Sequence, residues 1–173
     1  RSVSENGYEE NIEVSRGDIR EIKKIIPHPT LDLAACNPPY KAVGAGLRNP
    51  DERMKNARHE CTCTLEDVAK AGRDVLRFGG RFCLCQRPER LADAMNVFRS
   101  YGLEPKRLRL VQQRINTAPS LFLLEVRRGG KPGLSVLPTL IIEDENGGFS
   151  AEMLEIYGNY KFGHEGGRAD GRK

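Results

Sequence analysis

The residues with the clearest chemical content are Asn37-Pro38-Pro39-Tyr40. The two prolines lock φ and contribute no N–H donors, so carbonyl oxygens of the segment can face a ligand without competing donors. Asn37 adds a side-chain oxygen acceptor. An amine or amide nitrogen donating to Asn37 Oδ1 and to the Pro38 carbonyl would have its lone pair drawn out of conjugation and aimed at an electrophile. Tyr40 supplies an aromatic face on which a planar group can stack. Much of the rate gain would come from positioning rather than from a strong base. The same residues also suit a proline-rich turn capping a strand, with Asn37 in an Asx-turn. An apolar strand, an acceptor and an aromatic in this order favour a site over a bare turn.

Several elements must position that segment. Leu-Asp-Leu-Ala-Ala-Cys at 31–36 is a short apolar run bounded by prolines, which predicts a strand buried on both faces. In open α/β sheets ligands bind beyond the carboxyl ends of such strands. Upstream, Ile12 and Val14 alternate with Glu13 and Ser15, predicting a short strand over 11–18. Residues 19–26 predict a short helix stopped by Pro27 and Pro29. Downstream, 41–56 is rich in Gly, Asn, Pro and charge and reads as a loop or lid.

Thr64 offers an N-cap, with Asp67 as its capping-box partner. Leu65, Val68, Ala69, Gly72, Val75 and Leu76 mark one helical face, with Gly79-Gly80 expected to end the helix. Residues 81–86 predict a strand, and Pro88 opens a helix with Leu91, Ala94, Met95, Phe98 and Tyr101 on its apolar side. Strands follow around 107–112 and 121–127 as an antiparallel hairpin at the sheet edge, then another strand at 137–142 and a short helix at 151–157. The order describes an α/β domain with a mainly parallel sheet. Residues 161–173 read as a flexible tail.

Composition narrows the class. The chain has 173 residues, 28 Lys and Arg against 24 Asp and Glu, and a net charge of +4. That balance excludes an acidic solvating chain and a histone-like tail, and it allows an anionic partner held on one face. No apolar run approaches the roughly 20 residues that span a bilayer. The first residue is Arg1 rather than Met, with no signal-peptide pattern behind it, so the expectation is a fragment or a processed chain. Five cysteines, an odd number, argue against an extracellular disulfide framework and for reduced thiols in a cytoplasmic protein. Cys61 and Cys63 form one Cys-x-Cys pair and Cys83 and Cys85 a second, but structural zinc favours wider spacing, so no metal is expected. Period two instead puts Cys83 and Cys85 on one strand face as small apolar groups.

Ala34-Ala35-Cys36-Asn37-Pro38-Pro39-Tyr40 resembles the motif of S-adenosylmethionine-dependent methyltransferases that act on amino or amide nitrogens. Further matches narrow the likeness: Lys41, Gly44-Ala45-Gly46, Asn49-Pro50, Ala57-Arg58-His59-Glu60, Gly79-Gly80-Arg81-Phe82 and Arg87-Pro88-Glu89-Arg90-Leu91. Together they resemble the bacterial tRNA(Val) adenine N6-methyltransferases over nearly the whole chain. The resemblance implies a Rossmann-like class I methyltransferase sheet, S-adenosyl-L-methionine as cofactor and tRNA as substrate. Asp18 would accept from the cofactor's adenine amine, and Ile19 would pack beside that ring. Asn37, Pro38, Pro39 and Tyr40 would clasp a target base flipped out of its stack. Lys41, Arg48 and Arg58, with Arg53 and Lys55, would meet the RNA backbone, although such a charged run also suits a solvated loop.

The family also carries an opening strand, a Gly-rich loop for the methionine end of the cofactor and an acidic residue for its ribose. This sequence matches none of them, and residues 1–6 resemble the end of the following helix. The expectation is therefore an incomplete catalytic domain over 1–160, with two strands missing between those at Ile12 and Leu31 and a gap at the sheet centre. These 173 residues alone would bind the cofactor weakly or not at all. Two alternatives stand beside this reading: a protein-glutamine N5-methyltransferase acting on release factors, and a non-catalytic RNA-binding remnant of the fold. Ribosomal RNA and DNA are further substrates for the same chemistry.

Overall fold

The computed structural model describes residues 2–38 and 63–157. Its elements run α1 (Ser2–Glu5), a 3-10 helix (Ile19–Lys24), β1 (Leu31–Cys36), α2 (Leu65–Val75), β2 (Leu76–Gln86), a 3-10 turn (Pro88–Arg90), α3 (Leu91–Ser100), β3 (Leu103–Gln112), β4 (Leu121–Arg128), β5 (Ser135–Val136), β6 (Leu140–Ile141) and α4 (Ala151–Tyr157). Among the described residues no helix is long and apolar enough to cross a membrane.

Local chemistry sets both central helices. Thr64 Oγ1 accepts from the Asp67 N–H at 3.1 Å, while the Asp67 carboxylate accepts from the Thr64 N–H at 3.0 Å. That reciprocal cap satisfies two donors and starts α2 at the predicted residue. Pro88 opens the turn into α3, whose Ala94 and Phe98 are buried.

The sheet is mixed rather than mainly parallel, in the order β1-β2-β4-β3-β5, with β6 also pairing β3. β1 runs parallel to β2, whereas β2–β4 and β3–β4 are antiparallel. The hairpin therefore forms as expected but lies inside the sheet, since β5 and β6 extend it beyond β3. Alternation along β2 and β4 buries Phe82, Leu84, Phe122, Leu124 and Val126 on one face, against α2 and α3. Each such side chain contributes about 1.5–3 kcal/mol. The opposite face carries Arg81, Cys83, Cys85, Leu123 and Glu125. A second, smaller cluster of Val111, Leu140 and Met153 seats α4 there.

Four local expectations need correction. Residues 11–18 form no strand, and Val14 is 78% exposed; an alternating segment is held extended only by a paired neighbour, and the described residues supply none. β1 is not buried on both faces: Ala34 and Cys36 pack on the core, whereas Leu33, on the opposite face, is 50% exposed. Gly79-Gly80 do not end α2, which stops at Val75 and passes straight into β2 through the buried Leu76. The glycines instead form an irregularity in β2, where register jumps from Leu31↔Leu76 to Leu33↔Arg81. Gly79 has φ +80°, and a Cβ on Gly80 would stand 3.0 Å from the Leu31 carbonyl oxygen and 2.9 Å from that of Arg77. Finally, the strand expected over 137–142 splits into β5 and β6 around Pro138, which has no N–H for the ladder.

Candidate functional site

Asn37 and Pro38 follow β1 directly, with Asn37 exposed and Pro38 buried. Register fixes what lies beside them. Cys36 is opposite Leu84, so β2 ends at Gln86 level with this segment. Gln86 pairs with Phe122 and Val111 with Leu121, which brings the β3–β4 turn to the same edge. This is the carboxyl end of the parallel pair, where open α/β sheets leave room for ligands.

Asp18 and Ile19 lie at the start of the 3-10 helix. Ile19 packs against the main core together with Cys36 and Cys63. Burial pushes the Cys63 thiol pKa up, with the Asp67 carboxylate, the Cys36 thiol and the Asp18 carboxylate adding to it. Asp18 and Cys36, the residue before Asn37, thus both lie within electrostatic reach of Cys63. Its carboxylate caps the 3-10 helix, with Oδ1 accepting from the Arg20 N–H at 2.9 Å. The Arg20 Nε also donates to Oδ1 and Oδ2, at 3.0 and 3.1 Å. A ligand amine at Asp18 would share or displace that guanidinium.

Of the residues singled out in the sequence, Asp18, Ile19, Asn37 and Pro38 lie within the described residues. Pro39, Tyr40, Lys41, Arg48 and Arg58 lie outside the described residues, as do the 41–56 loop and the 161–173 tail. Cys36, Cys63, Cys83 and Cys85 are free thiols. Burial raises the thiol pKa of Cys36 and Cys83 as well as that of Cys63.

Sequence reasoning missed three features of this edge. Gln86 is 2% exposed, and its Oε1 accepts from the Arg87 N–H at 2.9 Å. Its strand position, two residues after the core-facing Leu84, was the available signal for a buried amide. Arg87 Nη1 reaches the Ser120 carbonyl at 3.5 Å, tying the end of β2 to the start of β4. The third feature is the β3–β4 turn. Thr117 Oγ1 accepts from the Arg114 N–H at 3.1 Å and donates to the Arg114 carbonyl at 2.8 Å. Gln113 and Arg114 both donate to the Glu143 carboxylate, which holds its pKa below the ordinary glutamate value. Ile115 stands on this pinned turn 74% exposed. Chemically, the edge combines an exposed amide acceptor at Asn37, a rigid turn and an apolar tip.

No family model matches the chain, and neither does any curated protein. Solved structures do. A predicted O-methyltransferase, protein Atu636 from Agrobacterium tumefaciens, aligns with TM-score 0.67 and 17% identity over 90% of this chain and 68% of its own. TTHA0409 from Thermus thermophilus, a provisionally assigned DNA modification methylase crystallised with S-adenosyl-L-methionine, aligns with TM-score 0.47 and 20% identity over 68% of this chain. This chain spans 54% of that protein's length. The first of these similarities establishes the fold: a methyltransferase-type α/β sheet.

Proposed function

We propose that this protein is an S-adenosyl-L-methionine-dependent N-methyltransferase whose substrate is an adenine N6 amine in nucleic acid, tRNA foremost. The observation that carries the reading is the placement of Asn37-Pro38 at the carboxyl end of β1 in a methyltransferase-type sheet. The chemistry of the nearby donor set fits the cofactor. Asp18 supplies a carboxylate for an exocyclic amine, and Ile19 supplies an apolar side chain beside it. When bound, that cofactor supplies an electrophilic methyl group.

The chain's own residues do the rest. Asn37 Oδ1 and the Pro38 carbonyl accept the two N–H bonds of the target amine and hold its nitrogen in one orientation. Pro38 is buried, and the proline that follows it in the sequence restricts its ψ, which keeps that carbonyl from swinging away. Gln86 and Arg87 brace the neighbouring strand end so that the acceptors stay in place. Tyr40 stacks on the base, while Lys41, Arg48 and Arg58 contact phosphates. Free thiols at four described cysteines fit a cytoplasmic enzyme.

The test is transfer of labelled methyl groups by the full-length protein to unmodified tRNA(Val), ribosomal RNA and a release factor. Label on adenine N6 of the tRNA supports the reading. Label on the release factor alone would instead identify a glutamine N5-methyltransferase, because the same pair of acceptors fits an amide nitrogen.

A further inference from the structure

We infer that a cleft at the opposite end of the sheet, beside the start of β2, is a phosphate site that anchors the nucleic-acid backbone far from Asn37. Lys23, Pro27, Pro29, Arg73, Asp74 and Arg128 line this cavity of about 240 Å³. Its cations come from three separate elements: Lys23 from the 3-10 helix, Arg73 from the last turn of α2 and Arg128 from the end of β4.

Charge is left uncompensated there. Lys23 Nζ lies 3.4 Å from Asp74 Oδ1, so one cation is matched by the single carboxylate of the lining. Arg73 is exposed and has no ion-pair partner among the described residues. Arg128 Nη1 donates to the Leu76 carbonyl, which fixes the guanidinium and leaves its other N–H donors for a ligand. Concave surfaces lined by one sign of charge concentrate the field, and guanidinium groups match phosphate oxygens in geometry. Pro27 and Pro29 stiffen the rim without offering N–H groups.

The identity of the phosphate rests on the nucleic-acid reading above and on distance. β1 starts at Leu31, opposite Leu76 whose carbonyl holds Arg128, and ends at Cys36, directly before Asn37. Six steps at about 3.3 Å per residue put the cleft and the Asn37 edge roughly 20 Å apart. That is about six base pairs at 3.4 Å each. A folded RNA can bridge the two sites, whereas a free mononucleotide cannot.

Binding of unmodified tRNA, followed by fluorescence anisotropy between about 50 and 200 mM salt, tests this with the full-length protein. Wild type is compared with Arg73→Gln and Arg73→Lys, with thermal melting as the check on folding. A short RNA of about two nucleotides, unable to span the two sites, is run in parallel. Arg73→Gln is expected to weaken tRNA binding about three- to tenfold and to lower the salt slope by about one, with Arg73→Lys retaining the slope. Affinity for the short RNA stays the same, and KM for tRNA rises with kcat unchanged.

Equal tRNA affinity and salt slope in wild type and Arg73→Gln, beside intact methyl transfer, would overturn the cleft and leave the proposed function standing. No tRNA binding and no methyl transfer by the wild type would overturn the proposed function itself, and the cleft with it. Inorganic phosphate, followed by phosphorus NMR line broadening, separates the remaining source. Phosphate bound by wild type and not by Arg73→Gln, with tRNA affinity unchanged, assigns the cleft to a free small anion and overturns the backbone assignment.

Discussion

Gly72 of α2 lies against the ring of Phe82 of β2, so close that a Cβ at residue 72 would stand 2.7 Å from Phe82 Cδ2. Phe82 in turn packs on Phe98 of α3, with ring centroids 5.4 Å apart. Helix, strand and helix thus meet at one glycine. Ala is the better helix former by about 1 kcal/mol. Gly72→Ala is nonetheless expected to destabilise the protein by about 1–3 kcal/mol, because the buried ring cannot retreat. Denaturant unfolding measures this, and Phe82→Leu should relieve most of the cost in a double-mutant cycle. A stabilised Gly72→Ala protein would contradict the packing.

Glu143 carries a pH prediction. Hydrogen bonds from Gln113, then Arg114, lower its folded pKa. A depressed carboxylate contributes stability above its unfolded value, near 4.3, and that contribution is lost as pH falls through the folded value. Melting temperatures of wild type and Glu143→Gln should therefore differ at pH 7 and converge below about pH 4. A difference that stays constant across this range would show that the turn is not held by the Glu143 charge.

The thiols report burial. Cys36, Cys63 and Cys83 have raised pKa values, chiefly through desolvation. Because the thiolate is the reactive species, alkylation at pH 8 should be slower at these three positions than in a cysteine peptide. Mass spectrometry of a timed iodoacetamide reaction reads the rates. Peptide-like reactivity at Cys36 would mean that the end of β1 is open to solvent.

Asp18 separates two roles. Asparagine is as good an N-cap as aspartate, so Asp18→Asn should leave the 3-10 helix and the melting temperature nearly unchanged. It removes the charge held by Arg20 and weakens the acceptor offered to an amine. The expected outcome is a KM for S-adenosyl-L-methionine raised about tenfold, roughly the worth of one charge-assisted hydrogen bond. An unchanged KM would leave Asp18 as a cap only.

Elements with local signals were legible from the residues alone. Thr64 with Asp67 marked the start of α2, Pro88 the approach to α3, and residues 151–157 the last helix, because caps and proline act within one turn. What depended on distant partners was not. Ile12 and Val14 alternate like a strand, yet no neighbour pairs them among the described residues. Leu76 reads as helix by spacing, but its side chain is buried as the first residue of β2. At the site, Asn37 and Pro38 stood out because four adjacent residues carry the chemistry. Gln86, Ser120 and Ile115 did not, because only the β2–β4 register brings them to that edge.

The most direct measurement is the initial rate of labelled methyl transfer to unmodified tRNA by the wild type and by Asn37→Ala, with adenine N6 as the scored product. If Asn37 holds the amine, its loss lowers kcat about a hundredfold or more, with tRNA affinity and melting temperature retained. Methyl transfer that survives Asn37→Ala at the wild-type rate would contradict the assignment of this edge as the catalytic centre.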